Sequence, residues 1–157
     1  MGTTTVIELL SFENAVFRAY IFWVSVLILK MAMMSALTGS QRKRKQVFAN
    51  DEDYGFLNMD GKSKPSKFGD PDIERIRRAH RNDLENCIPF MISALLYVLT
   101  DPSQFLAINL IRAAVIARIV HTFVYAIYGT QPARGICFFV CYLITIYMSI
   151  STVLSFF

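Results

Sequence analysis

Three cysteines and two histidines in 157 residues leave little material for thiol or metal chemistry. Cys87, Cys137 and Cys141 all lie in apolar surroundings, which argues against a secreted disulfide framework. Cys137 and Cys141 are four apart on one helix face, a spacing that suits neither a metal site nor a redox pair, and they read as small packing residues. His80 and His121 are too few to hold a zinc ion, so no metal is expected. Charge is scarce too, at 18% of residues against roughly 25% in soluble chains, and no internal repeat or low-complexity tract is present. Hydrocarbon fills the space: 54% of residues are hydrophobic and 13% aromatic, with a mean hydropathy of +0.41. That exceeds the usual ~45–50% apolar content and points to a membrane protein. A chain this short makes one domain, residues 1–157.

The charge that exists is concentrated. Between Thr38 and Arg81 eleven basic residues meet seven acidic ones, which accounts for the whole net charge of +4. This stretch lies between apolar segments rather than on a polar body, so membrane topology explains it and no nucleic-acid partner is expected.

Residues 15–37 are nearly continuous hydrocarbon, broken only by Arg18 and Lys30. A bilayer core needs ~20 apolar residues, so this is a first span. It is too long for a cleaved signal peptide and follows Glu8 and Glu13, and Val6 stands where N-myristoylation needs Ser or Thr. Residues 38–70 have no helical period and read as an extramembrane connection. Asp70-Pro71-Asp72 has the chemistry of a helix start and predicts a second helix over 73–99, polar in its first half, lipid-like in its second and bent at Pro89. A third span, 105–128, carries Arg112, Arg118 and His121, and a fourth, 135–157, has no charge at all. Basic residues in the first and third connections place both in the cytosol and both termini on the other side. Arg42 to Lys45 serve chiefly to set that topology and attract anionic lipid, and Lys30 is expected to snorkel to the interface. The fold expected is an all-α integral membrane protein, a four-helix transmembrane bundle.

Ionisable groups at membrane depth cost about 2.5 kcal/mol or more unless paired or hydrated. At about 100° per residue, Glu74, Arg78, Arg81 and Glu85 share one face of the second helix with Asn82 at its edge, and Arg118, His121, Thr122 and Tyr125 share one face of the third. Glu74–Arg78 and Arg81–Glu85 are ordinary i,i+4 pairs, and such a network can simply join helices. Packed together, the two stripes instead form a hydrated, cation-rich pocket. On spacing alone the two readings stand level. The excess of arginine (Arg78, Arg81, Arg118 and Arg134 against Glu74 and Glu85) favours an anion-binding pocket, and guanidinium suits a small polycarboxylate. His121 by itself reads more readily as a core histidine than as a base.

The segment ERIRRAHRNDLEN (Glu74 to Asn86) resembles the signature of the MAPEG family, the membrane-associated proteins in eicosanoid and glutathione metabolism. LTGSQRKRKQVFANDED (Leu37 to Asp53), ARIVHTFVYAIY (Ala117 to Tyr128) and QPARGICFF (Gln131 to Phe139) extend the resemblance over nearly the whole chain. It implies a homotrimer of four-helix subunits in the endoplasmic reticulum, or in the mitochondrial outer membrane, with glutathione held between neighbouring subunits near the cytosol. Carried over by residue, glutathione contacts would be Arg42, Arg77, Arg78, His80, Arg81, Asn82, Glu85, His121, Tyr125, Arg134 and Phe138, with Arg134 catalytic at the thiol. Asp53, Glu74 and Arg118 would support them. Arg134-Gly135 with Phe138 resembles the glutathione S-transferase branch, whereas Arg81 is similar to the prostaglandin E synthase branch. Gly135 and Phe138 lie nearest the chemistry and favour the transferase. The expected activity is conjugation of glutathione to lipophilic electrophiles, a detoxification reaction, with glutathione-dependent reduction of lipid hydroperoxides beside it. The alternatives are an endoperoxide isomerase of the prostaglandin synthase kind and a non-enzymatic membrane scaffold.

Overall fold

The computed structural model describes residues 5–50, 52–53 and 69–157, and is all-helical there. A short helix, α1 (Val6–Leu9), opens the described chain. Its Thr5 and Glu8 form a reciprocal capping box, with the Thr5 N–H donating to Glu8 Oε2 at 2.7 Å, which satisfies donors that a first helical turn otherwise leaves open. Four long helices follow: α2 (Ala15–Lys45), α3 (Pro71–Val98), α4 (Gln104–Thr122) and α5 (Ala133–Phe156).

Two boundaries differ from the sequence-based expectation. The first helix does not stop near residue 37 but continues to Lys45. Thr38 to Lys45 contains no helix breaker except Gly39, and Arg42, Lys43, Arg44 and Lys45 occupy the last turn, where cations oppose the negative end of the helix dipole. The helix ends at Gln46, which turns left-handed at φ 53°, while the Val47 N–H returns to the Arg42 carbonyl at 3.1 Å. The connection expected over 38–70 therefore loses its first eight residues to α2, and most of its remainder lies outside the described residues. Asp53 is described, half-buried, and accepts from Asn50 Nδ2 at 3.3 Å.

The second difference is in the third span. Its last turn, Phe123–Tyr128, widens into a π-helical turn. It closes when the Gly129 N–H reaches the Val124 carbonyl at 2.7 Å. Gly129 has φ 67°, a conformation that costs glycine little. Such turns put one extra residue into a helix and re-aim the side chains around it.

α3 begins as its sequence dictates. The Asp70 carboxylate accepts the N–H groups of Asp72 and Ile73 at 2.9 and 3.1 Å, Pro71 stands in the first turn, and the helix runs on through Pro89. Among the described residues, three helical segments are long and apolar enough to cross a membrane: Ala15–Lys45, Gln104–Tyr128 and Ala133–Phe156. α3 is not among them, because its first half carries the polar motif. α2 and α5 each pack against both α3 and α4, so that going round the bundle α3 has α2 on one side and α5 on the other. Leu27, Phe90, Ile111, Val115, Cys141 and Met148 meet in the core. Ser93 Oγ joins α3 to α5 through Ser149 Oγ at 2.8 Å and the Thr145 carbonyl at 3.2 Å. All three cysteines are free, Cys87 and Cys141 being buried and Cys137 half-buried.

Candidate functional site

The chemistry-bearing residues of α3 fall on two flanks. Arg77, His80 and Arg81 open onto a cleft of about 400 Å³ between α3 and the end of α2, where Arg42 closes it with Thr38. A neighbouring recess of about 350 Å³ shares Arg42 and Arg77 and adds Glu74. Four candidate ligand contacts, brought from two segments more than thirty residues apart, therefore line one basic cleft. Their charges are only loosely held. Arg81 Nε binds Glu85 Oε1 at 2.9 Å, as the i,i+4 spacing suggests, whereas Glu74 pairs with Arg77 at 2.7 Å rather than with Arg78. The i,i+3 geometry is as close on a helix surface as i,i+4, so Arg77 takes the carboxylate. Arg78 is exposed and has no ion pair among the described residues.

Asn82 stands about 160° round the helix from His80, on the other flank. There its Oδ1 accepts from Arg118 Nη2 at 2.9 Å, and the same guanidinium nitrogen donates to Asp83 Oδ1. Asp83 Oδ2 lies 2.7 Å from Lys30 Nζ. This interior network overturns two expectations. Arg118 is not an unpaired cation waiting for an anion: it is completely buried and ion-paired. Lys30 does not snorkel either, because Asp83 draws its ammonium inward. The residue missed in the sequence was Asp83 itself, and a signal existed. It lies about 180° from the Glu74–Arg78–Arg81–Glu85 stripe, so it is a carboxylate on the inward face of a helix and needs cations from other helices.

Farther along the same flank, His121 and Tyr125 meet edge to face with centroids 5.5 Å apart, and Arg134 in the first turn of α5 places its guanidinium carbon 4.5 Å from the Tyr125 centroid. The Arg134 charge thus rests on the ring face, a contact that orients guanidinium without consuming its hydrogen-bond donors. His121 is buried, yet its Nδ1 has no partner among the described residues, unlike a satisfied core histidine. Phe138, one turn on from Arg134, stacks on Tyr142 at 5.6 Å. A Cβ on Gly135 would meet nothing closer than Gln131 Oε1 at 4.0 Å, so the backbone there stays open.

The structure therefore groups Arg42, Arg77, His80 and Arg81 on one flank of α3 and Asn82, His121, Tyr125 and Arg134 on the other, with Arg78 and Glu85 exposed on the ridge between. The expected packing of the Glu74–Arg78–Arg81–Glu85 stripe against the Arg118–His121–Tyr125 stripe of α4 is therefore not formed: the first is turned outward, and Asp83 on the opposite face takes Arg118 instead, so the α2–α3 cleft has no lining residue from α4. Among the described residues no group of His, Cys, Asp and Glu side chains has the makings of a metal site.

The MAPEG family pattern matches residues 20–154. Microsomal glutathione S-transferase 1 of Mus musculus is 40% identical over 137 residues, covering 87% of this chain and 88% of that protein. The Bos taurus protein of the same name is 41% identical over the same shares. Prostaglandin E synthase of Homo sapiens is 33% identical over 120 residues, 76% of each chain. With three apolar helices long enough to span a bilayer and a family match over most of its length, the chain is an integral membrane protein that belongs to the MAPEG family.

Proposed function

We propose that this protein is a membrane-bound glutathione S-transferase that joins the glutathione thiolate to lipophilic electrophiles. The observation that carries this reading is the basic cleft of Arg42, Arg77, His80 and Arg81, in a chain 40% identical to microsomal glutathione S-transferase 1. Glutathione has two carboxylates for such a cleft, an amine for Glu85 and a thiol for Arg134.

The separation of the two residue sets supports a homotrimer. Repeated about an axis running beside α3, the basic cleft of one subunit would face the Asn82, His121, Tyr125 and Arg134 flank of the next, and the ligand would bridge them. Residues 1–157 then form one four-helix transmembrane domain. α3 would complete the set of four spans with its polar half shielded between subunits. The basic ends of α2 and α3 face the cytosol, and the membrane is that of the endoplasmic reticulum or the mitochondrial outer membrane.

A free thiol with pKa ~8.5 is only a few per cent ionised at neutral pH, and a guanidinium beside it favours the thiolate. Arg134 is free to donate because its contact with Tyr125 is through the ring face. The thiolate sulfur attacks the electrophilic carbon, a carbon–sulfur bond forms, and the leaving group departs with the bonding electrons, as halide for an aryl halide. Phe138 and Tyr142 supply an aromatic surface for the electrophile arriving from the bilayer. With a lipid hydroperoxide the same thiolate cleaves the O–O bond, and a second glutathione completes reduction to the alcohol, water and glutathione disulfide. Glu74, Asp53 and Arg118 support the site.

The test is glutathione-dependent turnover of an aryl halide and of a lipid hydroperoxide, side by side, by detergent-purified protein. Arg81, which the synthase branch shares, keeps endoperoxide isomerisation as a second reading, and product analysis with an endoperoxide lipid separates the two. Absence of glutathione binding by calorimetry would leave a scaffold.

A further inference from the structure

We propose that Lys30 and Asp83 are positioning residues for the glutathione site, acting through Arg118 to hold Asn82 as a hydrogen-bond donor toward the ligand. The inference rests on the glutathione reading above and assigns work to two residues that it leaves unused. Lys30 comes from α2, Asp83 and Asn82 from α3, and Arg118 from α4, so three helices meet at one buried carboxylate.

The chemistry is directional. A guanidinium has donors and no acceptor, so the Asn82 atom facing Arg118 Nη2 at 2.9 Å is the carbonyl oxygen. With Oδ1 turned inward, the Asn82 amide presents its two N–H donors on the opposite side. Asn82 is half-buried, so its amide is reached both from the interior, where Arg118 lies, and from outside the bundle. A donor there suits an acceptor of bound glutathione: a carboxylate, a peptide carbonyl or the thiolate. A freely turning asparagine would offer either end and would have to be ordered on binding.

What keeps Arg118 in place is Asp83. The guanidinium is fully buried; its Nη2 donates to Asp83 and Asn82, and Cys87, whose thiol donates to the same Asp83 Oδ1 at 3.8 Å, packs beside it. The Lys30 ammonium lies 2.7 Å from the other oxygen of the same carboxylate, an ion pair that draws that oxygen toward α2 and leaves Oδ1 for Arg118.

Two substitutions separate positioning from mere support of the fold. Asn82→Asp keeps an acceptor for Arg118 and adds a second charge-assisted contact, so the bundle is retained or strengthened while the donors vanish. Its glutathione KM should rise about tenfold or more, the scale of one lost hydrogen bond to a charged group, with a melting temperature no lower than that of the unaltered protein and a smaller change in kcat. Lys30→Met should raise the glutathione KM severalfold with a lesser effect on the KM for the aryl halide, and Lys30→Arg should restore it. An Asn82→Asp protein with wild-type glutathione KM overturns the donor assignment. A Lys30→Met protein that loses stability but keeps its glutathione KM reduces the network to a structural tie. If the unaltered protein turns over no aryl halide or hydroperoxide with glutathione, the parent reading falls and this one with it, an outcome distinct from either variant result.

Discussion

On one flank of α3 the charges are wet, and on the other they are dry. The Arg77 and Arg81 side chains are 53% and 81% exposed, and each pairs with a carboxylate on its own helix. The Asp83 side chain is 1% exposed, and its partners come from α2 and α4. Exposed pairs of this kind contribute about 0–1 kcal/mol, so the arginines of the cleft can leave Glu74 and Glu85 for a ligand or a neighbouring subunit at small cost. A buried pair cannot let go, because the remaining charge would be left without solvent. One helix thus carries a set of charges available for binding and a set committed to geometry, separated only by which way the side chains point.

The sharpest way to break this contrast is Asp83→Ala. It strands Lys30 and Arg118 together in the interior and should destabilise the bundle by about 3–5 kcal/mol, seen as a large drop in melting temperature in detergent. A variant that melts like the unaltered protein would mean that solvent reaches the network.

The helices and the exposed side of this division are legible in the sequence, the buried side is not, and the difference has physical reasons. Asp70-Pro71 marked the start of α3 because capping is a local matter of one carboxylate and two N–H groups. The extension of α2 to Lys45 was hidden because polar residues with good helix propensity carry no hydrophobic period once the helix leaves the apolar layer. The π-helical turn at Phe123–Tyr128 was invisible because its composition is that of any apolar helix, and only the hydrogen bond from Gly129 to Val124 reveals it. In the site, the i,i+4 spacing of Arg81 and Glu85 gives their ion pair, but it does not say which way the stripe faces: the stripe points outward, and Asp83 meets α4 in its place. Spacing within α4 alone leaves Arg118 looking free, because its partner, Asp83, is on another helix and lies on the face that the stripe leaves out.

Two substitutions probe the available charges without touching the committed ones. Arg134→Ala should lower glutathione-dependent turnover of an aryl halide by about a hundredfold, the scale of losing one charge-stabilising donor at a reacting atom. Its melting temperature should barely move, since Arg134 has a ring contact and no ion pair among the described residues. Full retained activity would remove it from the thiol. Arg81→Ala should be milder, raising the glutathione KM about tenfold, as the loss of one charged contact does, with stability changed by no more than about 0.5 kcal/mol. A large loss of stability instead would show that the exposed flank is committed too, as a subunit contact.

The smallest expected effect lies at the mouth of the bundle, where Asp70 combines both behaviours. It is a helix cap, accepting from two backbone N–H groups, and an ion-pair partner of Lys45 Nζ, whose distances to its two oxygens are 2.8 and 3.0 Å. The Lys45 ammonium, with help from those N–H groups, holds the Asp70 carboxyl below the usual carboxylate range. A group whose pKa is lower folded than unfolded contributes stability above its unfolded value, about 3.9, and loses that contribution as pH falls through the folded value. Acidification from pH 6 to 3 should therefore loosen the first turn of α3, read as faster amide exchange at Asp72 and Ile73 after correction for intrinsic rates. Asp70→Asn preserves the cap, because asparagine caps as well as aspartate, and removes one of two titrating groups, since Asp72, which also meets Lys45 Nζ at 2.6 Å and is likewise held below the usual carboxylate range, remains. Its first turn should fray slightly more at pH 6 and show a flatter dependence on acid. If both proteins follow the same pH profile, the tie between the ends of α2 and α3 does not depend on the charge of Asp70, and capping alone sets where α3 begins.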